Sequence, residues 1–71
     1  MKRVLEPCVG DIVLYKDEQG YITPVKIIEG AFFKNERVSN FWNWMDILTN
    51  KIYCGYGNFY YMEEGVKIKN V

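Results

Sequence analysis

The sequence predicts an all-β domain, built either as a small barrel of five or six strands or as two packed antiparallel sheets. Three observations lead there. Short runs of β-branched and aromatic residues recur at a spacing of about 8–12 residues. Each run is bounded by Gly, Asn, Asp or Pro, the residues that favour turns. The chain has 71 residues, which is enough for one small core and no second domain.

The first run is Ile12-Val13-Leu14-Tyr15-Lys16, entered through Gly10-Asp11 and left through Asp17-Glu18-Gln19-Gly20. Strand composition resumes at Tyr21 and continues to Glu29, with Val25 and Ile27 on one face and Lys26 and Ile28 on the other. Pro24 cannot donate to a ladder, so it marks an edge, a bulge or the start of pairing. Gly30 fits a bend or bulge, Ala31-Phe32-Phe33 a short continuation, and Lys34-Asn35-Glu36 a polar tip.

Residues 37–48 carry two competing periods. Phe41, Trp44, Met45 and Leu48 make a helical stripe, with Ser39 or Asn40 available as a cap. Val38, Asn40, Trp42 and Trp44 make a period-2 face, with Ser39, Phe41 and Asn43 opposite. The cluster of Trp, Phe and Asn in residues 40–44 disfavours a helix, so a strand over about 37–44 is expected, with 45–48 free to form one turn of helix. Thr49-Asn50-Lys51 is a turn in which Asn suits the left-handed region. Ile52-Tyr53-Cys54 is a short strand that Gly55-Tyr56-Gly57-Asn58 interrupts, the glycines permitting positive φ and presenting Tyr56 outward. Phe59–Met62 and the alternating Val66-Lys67-Ile68-Lys69 are the last two candidates, the lysines guarding a final edge. Residues 1–9 form either a loose N-terminal arm or a first strand.

Composition excludes several functions. Nine basic residues balance nine acidic ones, so there is no strong field for nucleic acid. There is no His, which removes the commonest general base and metal ligand. Cys8 and Cys54 form no C-x-x-C pair, so neither a metal site nor any other cofactor is expected. A disulfide between them would close a long loop, but two reduced, partly buried thiols in a cytoplasmic protein fit the cysteine usage better. With no base beside either thiol, no enzyme is expected. The basic N-terminus is followed by no apolar stretch of signal-peptide type, and no run approaches a membrane span. Gly55-Tyr56-Gly57 is neither a phosphate loop nor, without flanking membrane helices, a channel filter.

The opening hairpin resembles that of SH3-like small barrels. Gly10-Asp11-Ile12-Val13-Leu14-Tyr15-Lys16, a turn containing Gly20, and Pro24-Val25-Lys26-Ile27-Ile28-Glu29 are most similar to the Tudor branch. That branch opens its first strand with Gly-Asp and carries Pro or a small residue before an apolar-basic-apolar run in its second. The resemblance covers residues 10 to 30. It implies a barrel whose aromatic cage holds methylated lysine or arginine, with Tyr15, Tyr21 and Trp42 near that cage by their order along the chain. The Asp-Gly turn that follows the third-strand aromatic in that branch is absent; Asn43-Trp44 follows Trp42.

Aromatic residues are 17% of the chain, more than one small core needs when each ring buries about 150–250 Å². A strand through residues 40–44 has rings on both faces, and only one face can point inward. At least one of Phe41, Trp42 and Trp44 is therefore expected at the surface with Tyr56 beside it. These residues, with Tyr15 and Tyr21, are the candidate contacts for a protein partner or for self-association. The alternative is a nucleic-acid-binding barrel using Lys16, Lys26, Lys34 and Arg37.

Overall fold

In the computed structural model, which describes residues 2–62, the chain is all-β, with no helix among those residues. Five strands, β1 (Ile12–Lys16), β2 (Ile22–Phe33), β3 (Glu36–Asp46), β4 (Ile52–Tyr56) and β5 (Phe59–Tyr60), form one antiparallel sheet in the order β4-β3-β2-β1-β5. Strands β1 to β4 are a meander, and β5 returns to the free side of β1. The turn expected at 63–65 and the strand expected at 66–69 lie outside the described residues.

Local chemistry sets each turn. Cys8–Asp11 is closed by the Asp11 N–H donating to the Cys8 carbonyl at 3.0 Å, with Gly10 at φ 94° as the type II geometry requires. Between β1 and β2, Gly20 at φ 90° follows a turn over Asp17–Gly20, the three-residue hairpin pattern. Lys34 and Asn35 both have positive φ, 50° and 65°, and join β2 to β3 in the two-residue hairpin whose twist matches the strands. Asn50, at φ 62°, ends the β3–β4 turn, and its N–H donates to the Asp46 carbonyl at 2.8 Å. This i-to-i+4 turn is all that exists of the expected helical turn.

Pro24 lies inside β2, a central strand, opposite Leu14. The Asp17 N–H to Tyr21 carbonyl bond fixes the alternation, so Pro24 stands at a position that does not bond to β1. Its nitrogen faces β3 at the end of that ladder, one residue beyond the Val25–Asp46 pair, where its carbonyl still accepts the Ile47 N–H at 3.2 Å. The missing donor falls at the last rung of the ladder and interrupts no bond between flanking pairs.

Two irregularities bend the long β2–β3 pair. Ile28 is an extra residue between the Ile27–Trp44 and Glu29–Asn43 pairs. Beyond Gly30–Trp42, Ala31 alone faces residues 38–41, with Asn40 at φ 56°. Gly30 sits between these bulges, and the Arg37 side chain lies across it where a Cβ would stand.

The bends curl the sheet around one concave face. Alternation puts Val13, Tyr15, Val25, Ile27, Trp42, Trp44 and Phe59 on that face, and Val4 joins them from the N-terminal segment. The Trp44 and Phe59 ring centroids are 5.4 Å apart although β3 and β5 are three strand positions apart, about 14 Å in a flat sheet. The Gly57 N–H also reaches the Asn40 carbonyl at 2.9 Å. No ladder joins β4 to β5, so the sheet is curled but open. The N-terminal segment is tied down: the Val4 N–H donates to the Phe59 carbonyl, Arg3 bridges Tyr60, and Val4 is only 2% exposed.

Candidate functional site

The concave face opens at one end into a groove of about 370 Å³ lined by Tyr15, Asp17, Thr23, Val25, Trp44, Asp46, Tyr53 and Cys54. Period-2 alternation brings all of these but Cys54 together; Cys54 has its side chain on the outer face and borders the groove beside Tyr53. Tyr15 pairs with Thr23, Val25 with Asp46, and Trp44 with Tyr53. Trp44, at 4% exposure, is the floor. Its ring stacks on Tyr15 at 4.4 Å between centroids and on Tyr53 at 6.4 Å, and meets Phe59 edge-on. Tyr15 is half-buried and Tyr53 is exposed, so the two tyrosines are the walls a ligand would meet.

Two carboxylates stand at the groove. Asp17 Oδ1 accepts the Gln19 and Tyr21 N–H groups, both at 2.9 Å. Asp46 Oδ1 accepts those of Leu48 and Thr49 at 2.8 and 3.3 Å. Each turn thereby fixes one oxygen and leaves Oδ2 without a hydrogen bond among the described residues. Neither carboxylate is ion-paired among those residues; Lys51 is exposed, and its carbonyl, not its ammonium, meets Asp46 by accepting the Asp46 N–H at 2.8 Å. Burial, and then the charges of Asp17 and Glu18, push the Tyr15 hydroxyl above the usual tyrosine pKa. The site therefore combines stacked rings with negative charge that no cation among the described residues pairs, the environment that attracts an organic cation.

The sequence-predicted contacts do not form one patch. Trp44 and Tyr15 lie in the groove. Trp42 is half-buried against the same core farther along, with the Arg37 guanidinium 4.4 Å above its ring and its Nε1 buried without a partner among the described residues. Phe41 is on the opposite, outer face, half-buried and edge-on to Tyr56 at 5.1 Å; Tyr56 is 69% exposed. Tyr21 is exposed beside the β1–β2 turn. The pairing of a β3 ring with Tyr56 is thus present, but no β3 ring is fully exposed, because Arg37 and Tyr56 cover Trp42 and Phe41. Tyr56 is the last residue of β4, and its carbonyl accepts the Asn58 N–H across Gly57 at 2.9 Å, so it opens the tight turn into β5 and is not flanked by two glycine bends. Gly55 and Gly57 do not have positive φ; they are small because Trp44 and Trp42 press against them.

The four cations of the alternative reading are dispersed. Alternation puts Lys16 and Lys26 on the outer face. Lys34 is at the β2–β3 hairpin tip over Phe33, and Arg37 is engaged with Trp42 and the Ala31 and Val38 carbonyls. Cys8 and Cys54 are free thiols, and both are exposed rather than partly buried. No group of three His, Cys, Asp or Glu among the described residues is placed to hold a metal ion, and no helix there is long and apolar enough to cross a membrane.

Of the groove residues, Asp17, Thr23 and Asp46 were not among the contacts read from the sequence. Asp17 was legible as a turn residue, but only the curl of the sheet shows that it and Asp46 flank one groove. A scan against family models and searches of curated proteins and of solved structures each found no match.

Proposed function

We propose that this is a non-enzymatic protein-interaction module that captures a cationic side chain of its partner in the Tyr15–Trp44–Tyr53 groove. The observation that carries this reading is the pairing of stacked rings with two carboxylates that no cation neutralises among the described residues. A cation over an aromatic face gains about 0.5–2 kcal/mol depending on desolvation, and the carboxylates add attraction that falls with salt. The strand order, a meander whose β5 returns to the free side of β1, suits an SH3-like arrangement. The Tudor-type resemblance of residues 10–30 supports the same choice of ligand, a lysine or arginine with or without methyl groups. Free, unpaired Cys8 and Cys54 suit work in the reducing cytoplasm.

The test is a titration with N-acetyl-lysine amide, its trimethylated form and tetramethylammonium, followed by ring-proton chemical shifts. Shifts at Tyr15, Trp44 and Tyr53 that weaken in Asp46→Asn and Asp17→Asn support the reading. Asn retains the oxygen that caps each turn, so the fold is kept. Absence of shifts in the groove, with a single-stranded oligonucleotide instead moving Lys16, Lys26, Lys34 and Arg37 in a steeply salt-dependent way, would favour the nucleic-acid alternative.

A further inference from the structure

We infer that the partner binds as an extended segment added to the free edge of β4, with its cationic side chain passing over Gly55 toward the Trp44 ring. The inference rests on the cation-binding reading of the groove and adds the backbone geometry of the ligand.

Strand β4 is an edge among the described residues. The Asp46 N–H to Lys51 carbonyl bond and the Gly57 N–H to Asn40 carbonyl bond bracket the β3–β4 ladder. Alternation between them directs Tyr53 and Gly55 toward β3, and turns the N–H groups of Ile52, Cys54 and Tyr56 outward. The Ile52 and Cys54 carbonyls point the same way, whereas that of Tyr56 is occupied by the Asn58 N–H at 2.9 Å. The edge carries no Pro, Lys or other charged side chain, the devices that normally protect such a row of groups.

Side-chain alternation selects the register. Tyr53 and Gly55 lie on the groove face, and Ile52, Cys54 and Tyr56 on the outer face. A residue of an added strand opposite Gly55 occupies a non-hydrogen-bonded position and also points to the groove face. Tyr53 would fill that space with a ring; Gly55 leaves it open. A Cβ on Gly55 would stand 3.1 Å from Trp44 Cη2, so the opening leads directly to the floor of the site. Main-chain bonds to Cys54 and Tyr56 would supply affinity, and the groove side chain specificity, as in other strand-addition complexes.

Charge decides the occupant. A second copy pairing through β4 would bring Ile52-Tyr53-Cys54-Gly55-Tyr56, which holds no cation for the groove. A partner segment with lysine or arginine between two β-formers meets both the edge and the carboxylates of Asp17 and Asp46.

The experiment uses the full chain and a capped pentapeptide with lysine at its centre between two valines. In the inferred register the valine opposite Cys54 exchanges both main-chain bonds with it, the valine opposite Tyr56 accepts the Tyr56 N–H, and the lysine N–H points away. N-methylation of both valines should weaken binding tenfold or more, whereas N-methylation of the lysine should change it less than threefold. Amide exchange at Ile52, Cys54 and Tyr56 should be fast in the free chain and slow in the complex. Equal tolerance of all three methylations, with N-acetyl-lysine amide still shifting the groove, overturns strand addition and leaves the cation site standing. Failure of N-acetyl-lysine amide to bind removes the cation site itself. Slow exchange at these amides in the dilute free chain, or protection that grows with protein concentration, also overturns the inference, because the edge would then belong to this chain or to a second copy.

Discussion

Tyr15 and Trp44 stack with ring centroids 4.4 Å apart and planes inclined by 29°. They belong to β1 and β3, which β2 separates. In a flat sheet those strands are about 10 Å apart, and the two long side chains lean over β2 from a sheet that curls toward its concave face. Tyr53 stacks on Trp44 as its cross-strand partner, and the curl brings Asp17 and Asp46 to one groove. Fold and site are therefore one arrangement here: the ring that holds the core together is also the floor of the groove.

That dual role separates the two tryptophans. Trp44→Ala removes a ring that touches Tyr15, Tyr53 and Phe59 and should cost about 3–5 kcal/mol, enough to unfold so small a domain. Trp42→Phe removes a buried Nε1 that has no partner among the described residues, a burden of about 1–3 kcal/mol, and offsets the lost contact area. Urea unfolding should place Trp42→Phe within about 1 kcal/mol of the parent. A Trp42→Phe loss as large as that of Trp44→Ala would show that Nε1 is satisfied in solution.

Gly57 and Gly55 should respond differently to alanine. A Cβ at Gly57 would stand 2.8 Å from Asn40 Oδ1, 2.9 Å from Trp42 Cδ1 and 3.1 Å from Phe59 Cε2. Three neighbours cannot all yield, and overpacking of this kind costs about 1–3 kcal/mol. At Gly55 the only close neighbour among the described residues is the tip of the Trp44 ring. Gly55→Ala should therefore melt nearer the parent than Gly57→Ala does, with its effect visible in Trp44 emission. The opposite ranking in thermal melts would contradict this packing.

Parts of this architecture were legible in the residues, for physical reasons. Trp42 and Trp44 share a face at period 2, and that face is the core side of β3, as the strand reading required. The helical stripe failed because Phe41 and Trp44 point to opposite faces and Leu48 falls in the turn after Asp46. Gly20 and Asn50 adopt the positive φ their turns demand. The bulges were not legible at Ile28 or at residues 38–41, because they depend on which residues of β2 and β3 pair. Without them the curl is invisible, and so is the meeting of Asp17 and Asp46. Gly55 and Gly57 were misread for a related reason: glycine can signal a φ or a space, and only the neighbouring tryptophans show that it is space.

The β2–β3 hairpin can be improved. Lys34 and Asn35 occupy positive φ, where a residue other than Gly, Asn or Asp is strained by about 1–2 kcal/mol. The double change Lys34→Asn with Asn35→Gly places the preferred pair for this turn. It should raise stability by about 1 kcal/mol and the melting temperature by several degrees. Lys34 lies over Phe33 and not in the groove, so binding of N-acetyl-lysine amide should be unchanged. A lower melting temperature would mean that the turn is not of the two-residue, left-handed type.

Alkaline pH reports on Tyr15. Burial raises its pKa above the ordinary tyrosine value near 10, and the Asp17 and Glu18 charges raise it further. The folded protein thus holds the phenolic proton more tightly than the unfolded chain. Between the ordinary value and the raised one the folded state binds more protons, so stability falls as pH increases. The stabilisation is complete below about pH 10 and is lost progressively as pH rises through the folded-state pKa. Tyr15→Phe should remove this part of the alkaline loss while keeping the ring on Trp44. Asp17→Asn should lower the Tyr15 pKa toward, but not to, the ordinary value, since burial is the larger cause. Phenolate absorbance of the folded chain, compared with Tyr15→Phe, identifies the late-titrating ring. If the parent and Tyr15→Phe lose stability in parallel above pH 10 in urea-unfolding series, the groove does not hold Tyr15 in its neutral form.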